Sequence, residues 1–251
     1  MPKKTTKYSF AGIILTLLIA GANYFFNDST AKNSNTSSNN QVYKTSVEQK
    51  PLTFKKERQL VLADLDHLGR AVDAHIQLKD AFEPTEEREN LTYNPPGFDQ
   101  VFLENKSSSG KVYKNPLWSR GHLVGYQFSG LNNEKRNLIA QTIWSNAGAY
   151  YNTDNTNINS MIYYEERLDD WLYENKSYYL DYQVTPLYQD DELVPRQVRL
   201  AYLGYDSNGK KITISLGGKE QEGNGGAKVV ILDNISPNAE INYLTGEGKQ
   251  K

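Results

Sequence analysis

Three histidines stand in the chain, at positions 67, 75 and 122, and each is a candidate to move a proton near neutral pH or to bind a metal. His122 has the most suggestive surroundings, because it follows Arg120-Gly121 at the end of a short extended stretch. Gly121 permits close backbone approach, Arg120 offers a fixed fork for a phosphate, and the imidazole can accept a proton. Taken alone, Arg-Gly-His recurs by chance in many proteins. His67 and His75 fall in an apolar-patterned segment, residues 61–78, where a structural histidine is the expected case. No His-Glu-x-x-His motif occurs and His122 is far from the other two, so a three-histidine zinc site is not expected.

Further blocks follow in order: Asn137-Leu138-Ile139-Ala140-Gln141-Thr142, then Trp144-Ser145-Asn146, then Tyr163-Tyr164-Glu165. With these blocks the chain resembles the DNA/RNA non-specific endonuclease family, the ββα-metal or His-Me finger nucleases. Within that family it is similar to the DNA-entry nucleases and secreted DNases of Gram-positive bacteria. The likeness extends upstream through Leu65-Asp66-His67-Leu68-Gly69-Arg70-Ala71, Pro84-Thr85-Glu86-Glu87-Arg88 and Pro96-Gly97-Phe98. It ends at Ile241-Asn242-Tyr243-Leu244-Thr245-Gly246-Glu247, so it spans roughly residues 60 to 247.

The resemblance implies roles residue by residue. His122 would be the general base, and Asn146 the side-chain ligand of a single Mg²⁺ whose other positions are mostly water, with Mn²⁺ as a substitute. Asn137 would brace the finger, and Glu165 would orient metal-bound water. Arg120 and Arg88 would contact phosphate. The substrate implied is DNA, with RNA as a further candidate. Two departures are visible. Ser119 stands where relatives usually carry Asp before Arg-Gly-His, and the polar run Asn152-Thr153-Asp154-Asn155-Thr156-Asn157 lengthens the gap from Asn146 to Glu165. The longer gap leaves Glu166 as an alternative to Glu165.

The residue types suit phosphodiester hydrolysis. A neutral imidazole can take the proton of the attacking water. Mg²⁺ prefers oxygen ligands and keeps several waters, so one Asn with a nearby carboxylate is a sufficient protein contribution. Arg120 would add charge stabilisation. Nothing in the set reads bases, so cleavage should follow the backbone with little sequence preference.

The elements that must position these residues are short. Residues 61–78 fit either a helix weakened by Gly69 or two strands around a turn at Leu68-Gly69-Arg70. Strands are expected at 111–116, 178–186, 198–205, 211–216, 229–232 and 240–244, with Ser207-Asn208-Gly209 as a hairpin signal. Helices are expected over 143–150 and about 159–173. Strands with helices grouped centrally point to an α+β fold, and the resemblance implies a ββα-metal core within a mixed, largely antiparallel sheet.

Composition bounds the rest. The 251 residues contain no cysteine, which excludes disulfides, thiolate metal sites and cysteine nucleophiles. A formal net charge of −2 gives no support to a basic nucleic-acid coat protein. Lys3, Lys4 and Lys7 precede an apolar run over 10–22 that extends less purely to Phe26. Residues 1–26 thus read as an export signal or a membrane anchor, 27–51 as a flexible polar linker, and 52–251 as the nuclease domain. Two rival functions stay open. One is a catalytically silent nucleic-acid-binding module involved in DNA uptake. The other is a glycoside hydrolase using the acidic residues Asp169, Asp170, Asp190, Asp191 and Glu192.

Overall fold

The computed structural model describes residues 43–106 and 109–251. The expected signal or anchor at 1–26 and the first part of the expected linker lie outside the described residues. Among the described residues no helix is long and apolar enough to cross a membrane.

The strands are β1 (Gln59–Leu62), β2 (Ala74–Leu78), β3 (Phe102–Lys106), β4 (Val112–Pro116) and β5 (Trp118–His122). Then come α1 (Tyr126–Ser129), β6 (Leu138–Thr142), α2 (Ile143–Ala147), α3 (Met161–Glu174), β7 (Tyr179–Leu187) and β8 (Gln197–Tyr205). The chain closes with β9 (Lys211–Ile212), β10 (Gln221–Glu222), β11 (Lys228–Asp233), β12 (Ala239–Ile241) and β13 (Gly248–Gln250). The main sheet runs β1-β2-β7-β8-β11-β10, with β9 added to the end of β8, and its pairings are antiparallel. Three two-stranded ribbons accompany it: β3-β4, β5-β6 and β12-β13. The fold is α+β, as expected.

Strand alternation gives the main sheet two unlike faces. Ala74, Ile76, Leu78, Leu180, Tyr182, Val184, Val198, Leu200, Tyr202, Val230 and Leu232 form its apolar face. Against them α3 buries Met161, Tyr164, Leu168 and Leu172, a stripe at helical spacing. Leu123, Val124, Phe128 and Ile139 join the same core, which fastens the β5-β6 ribbon to the sheet.

The opposite face is polar yet buried, with His75, Gln77, Asp181, Gln183 and Thr185 all under 9% exposed. An extended strap over residues 43–55 covers it. Backbone N–H groups of Tyr43, Lys50, Leu52 and Lys55 donate to Gln197, Gln183, Asp181 and Gln77 side chains, and Arg199 donates to the Val47 carbonyl. Residues 43–51 are therefore part of the domain and not a spacer, which corrects the boundary expected at 52. Their polar composition misleads because the bonds are made through the strap's backbone.

Other differences are local. Residues 61–78 form β1, a turn and β2, so the two-strand alternative holds. His75 is buried with its Nε2 2.7 Å from Asp181 Oδ1, a satisfied structural histidine, whereas His67 sits on the exposed turn, 3.6 Å from Asp191. The strand expected over 211–216 stops at Ile212, where its pairing with β8 ends, and Gly217 and Gly218 further on adopt left-handed backbone.

Candidate active site

The ribbon β5-β6 followed directly by α2 makes a ββα unit, and it carries three of the residues singled out from the sequence. His122 is the last residue of β5, paired with Leu138 at the start of β6. Arg120, two residues earlier, lies on the same strand face. Between them, Gly121 is required by crowding. A side chain there would meet the buried Gln141, its Cβ only 2.3 Å from Gln141 Oε1 and 2.7 Å from Gln141 Cβ. Ser119 donates its hydroxyl to the Gln141 carbonyl at 2.9 Å, so this departure from the family pattern serves the ribbon.

Asn137 holds the backbone immediately after His122. It is fully buried, its Oδ1 accepts from Val124 N at 3.0 Å, and its Nδ2 donates to Val124 O at 2.9 Å. A further bond from Leu123 N to Asn137 O extends the ladder past the strand end.

Glu165 reaches the same turn from α3. Its Oε1 accepts from Gly125 N at 3.0 Å, its Oε2 from Gln127 Nε2 at 3.4 Å, and Tyr182 approaches with its hydroxyl. Burial raises the Glu165 carboxyl to about 7, against the opposing pull of these donors and of Arg88. Glu166 points outward instead and accepts from Asn155 on the 148–160 loop. Of the two, Glu165 is the carboxylate that faces the turn following His122.

His122 is itself 7% exposed, with Nε2 3.2 Å from the Asn132 carbonyl. Burial depresses its imidazole to about 4, and the Arg88 cation depresses it further, while the carbonyls of Asn132 and Leu131 act the other way. At neutral pH the ring is neutral. A carbonyl can only accept, so the Nε2 facing Asn132 carries the proton, which puts the lone pair of the neutral ring on Nδ1. Arg88 is exposed, and its charge acts on both His122 and Glu165. Arg120 is placed by Asn94, whose Oδ1 accepts from Nε at 3.0 Å and Nη2 at 2.7 Å, and its guanidinium lies over the Phe98 ring.

Asn146 sits near the end of α2, half-buried, and among the described residues its carboxamide has no hydrogen-bond partner. The helix that carries it is firmly held. Thr142 caps it by accepting from Ser145 N, and Gly148, in left-handed backbone, ends it. A Cβ at Gly148 would fall 2.1 Å from the Asp154 carbonyl. Sequence reasoning missed Asn234, which is fully buried and ties this helix down. Its Oδ1 accepts from Thr142 N and Ser145 Oγ, and its Nδ2 donates to the carbonyls of Ala140 and Pro195. No motif announces such a residue, because its partners lie in two segments remote from it in sequence, residues 140–145 and Pro195.

The profile of the DNA/RNA non-specific endonuclease family matches residues 51–204, more than half of the chain. The chain belongs to that family. Among solved structures this nuclease is similar to an extracellular nuclease, with 41% identity and a TM-score of 0.66 over 82% of this chain and 100% of the other. It is similar to an extracellular endonuclease at 42% identity and a TM-score of 0.68, over 82% of this chain and 93% of the other. The fold is also shared with NucA from Streptococcus agalactiae, solved with magnesium bound, at 22% identity and a TM-score of 0.55, covering 83% and 84% of the two chains. No curated protein matches the chain. The nuclease fold and a nucleic-acid substrate are thereby established, and the silent binding module is not favoured. Of the acidic residues weighed for a glycoside hydrolase, Glu192 binds Arg196 and Asp191 faces His67.

Proposed function

We propose that this nuclease is a metal-dependent phosphodiesterase in which His122 is the general base. The observation that carries the reading is the buried, neutral imidazole whose Nε2 is engaged by the Asn132 carbonyl, leaving Nδ1 to act. Nδ1 takes the proton of the attacking water as the water oxygen bonds to phosphorus and the 3′-oxygen leaves. Asn137 fixes the backbone after the base, so the ring is presented in one orientation. Arg120 and Arg88 bind the phosphate oxygens and stabilise the charge that grows on them. Glu165, held beside the base, orients water on the other side of the phosphate.

The donor set fits a divalent cation. Asn146 presents an uncommitted neutral oxygen on a rigid helix, and among the described residues no cluster of three His, Asp or Glu side chains offers a richer site. A site of one amide oxygen plus water suits Mg²⁺, which keeps much of its hydration. Bound there, Mg²⁺ would supply charge neutralisation at the phosphate and the leaving oxygen. The magnesium in NucA supports this reading, as does the zinc named for the Sda1 nuclease structure, which shares the fold at 21% identity. The extracellular character of the two nearer relatives supports an extracytoplasmic enzyme.

A plasmid-nicking assay tests the proposal. Wild type should nick in Mg²⁺, stop in EDTA and recover when Mg²⁺ returns, with Mn²⁺ an effective replacement. His122→Ala should lose at least ~10²-fold in rate with its thermal unfolding unimpaired. Cleavage in metal-free buffer, or near wild-type turnover by the variant, would overturn the assignment.

A further inference from the structure

Residues 83–101 cross from the end of a 3-10 turn at Asp80–Phe82 to β3 without regular secondary structure, and Arg88 lies at the exposed middle of that stretch. Connections of this length are uncommon in compact domains unless something holds them. Here the holding is concentrated around Arg88. Just before it, the carbonyls of Glu86 and Glu87 both accept from the Tyr126 hydroxyl, at 3.0 and 3.2 Å. Just after it, Glu89 N donates to Asn132 Oδ1 at 3.1 Å.

Asn133 then holds three of the following four residues, Asn90, Thr92 and Tyr93. Its Oδ1 accepts from Thr92 N at 2.7 Å, Tyr93 N at 3.1 Å and the Thr92 hydroxyl at 3.4 Å, while its Nδ2 donates to the Asn90 carbonyl at 3.4 Å. Lys135 lies over the Tyr93 ring, 5.4 Å from its centroid. The same turn supplies the Asn132 carbonyl that engages His122. One short turn therefore touches the base through its backbone and the arginine loop through its side chains.

We propose that Asn133 is a positioning residue that keeps Arg88 at the phosphate site beside His122. The inference rests on the reading of Arg88 as a phosphate contact. Arg88 makes no hydrogen bond to another described residue, so its place depends on the backbone that carries it. Asn133 is the residue with the most bonds to that backbone. In Asn133→Ala, the segment 90–93 loses all four of these bonds, and the loop that carries Arg88 loses its fixed course.

The test is steady-state cleavage of linear duplex DNA in Mg²⁺ over a range of salt, with Arg88→Ala, Asn133→Ala, Tyr126→Phe and the Arg88→Ala/Asn133→Ala double variant. Loss of one phosphate contact should reduce the slope of log KM against log salt by about 0.9 for duplex DNA. Asn133→Ala should reproduce that change and a similar fall in kcat/KM. The double variant should be no worse than Arg88→Ala alone to within about 2-fold, because the two act as one unit. Tyr126→Phe, which removes only a surface hydroxyl, should give a smaller fall that disappears in the Arg88→Ala background. It keeps the test decisive if Asn133→Ala unfolds. If Arg88→Ala impairs the enzyme but Asn133→Ala and Tyr126→Phe do not, or if their losses multiply with that of Arg88→Ala, the positioning role is wrong and the Arg88 reading stands. A silent Arg88→Ala overturns the phosphate contact itself, and the positioning role with it.

Discussion

Glu165 should cost this protein stability in the pH range where the enzyme would work. Its carboxyl is buried on α3 and raised from 4.5 to about 7, chiefly by loss of water. The unfolded chain releases that proton above about 4.5, whereas the folded chain keeps it until about 7. The folded state therefore loses stability relative to the unfolded state as pH rises through this window, and the full cost is present above 7. The gap corresponds to about 3 kcal/mol, so Glu165→Gln should stabilise the metal-free protein by up to that amount at pH 8. At about 2–4 °C per kcal/mol for a domain of this size, the rise in Tm is on the order of 10 °C at most. The amide keeps an acceptor for Gly125 N, which protects the turn after His122. At pH 4 the carboxyl is neutral in both states and the advantage should vanish. Thermal unfolding of both proteins in EDTA from pH 4 to 8 measures this directly. A variant no more stable than wild type at pH 8, or a gain that persists unchanged at pH 4, would refute the reasoning. Cleavage should fall in the same variant, since the charge that burdens the fold is the one assigned to the site.

For His122, the acid limb of log kcat/KM should lie near pH 4, with no inflection from this group between 5 and 8, because the imidazole is held at about 4. Arg88→Ala should move that limb upward, since the arginine contributes to the depression; a pH–rate profile reads both. The same burial means stability falls as pH drops from 6.5 to about 4, where the unfolded chain binds a proton that the folded one refuses, and His122→Ala should flatten unfolding curves over that interval. Gly121→Ala should destabilise by roughly 1–3 kcal/mol through overpacking against Gln141, measured by urea unfolding. Asn137→Ala strands a buried donor and acceptor of Val124 and should cost roughly 2–4 kcal/mol together with most cleavage activity, by unfolding and by nicking assay.

Much of the candidate site could be read in advance as a set of positions, because its residues follow each other along one ribbon and one helix. His122 ends β5, Asn137 immediately precedes its partner β6, and Asn146 lies on α2 directly after, so sequence order carries spatial order. The choice between Glu165 and Glu166 was also encoded. Met161, Leu168 and Leu172 define a buried helical stripe, which places Glu165 inside and Glu166 out; the inserted polar loop before the helix obscured that periodicity. The depression of the His122 imidazole could not be read from the motif, since desolvation belongs to the tertiary structure. Asn234 and Asn133 were silent because their partners lie far away in sequence and are mostly backbone atoms. The strap escaped notice by the same physics, reversed, as its own backbone bonds to side chains of the sheet.

That strap sets where the cooperative unit begins. A recombinant domain trimmed to start at 52 would still contain every residue of the candidate site. It would nonetheless strip the Lys50 and Glu48 backbone from the amide of Gln183 and the Val47 carbonyl from the guanidinium of Arg199, and hydrate a surface that the native chain keeps dry. The strip of chain most easily discarded as a tether is the second wall of the sheet.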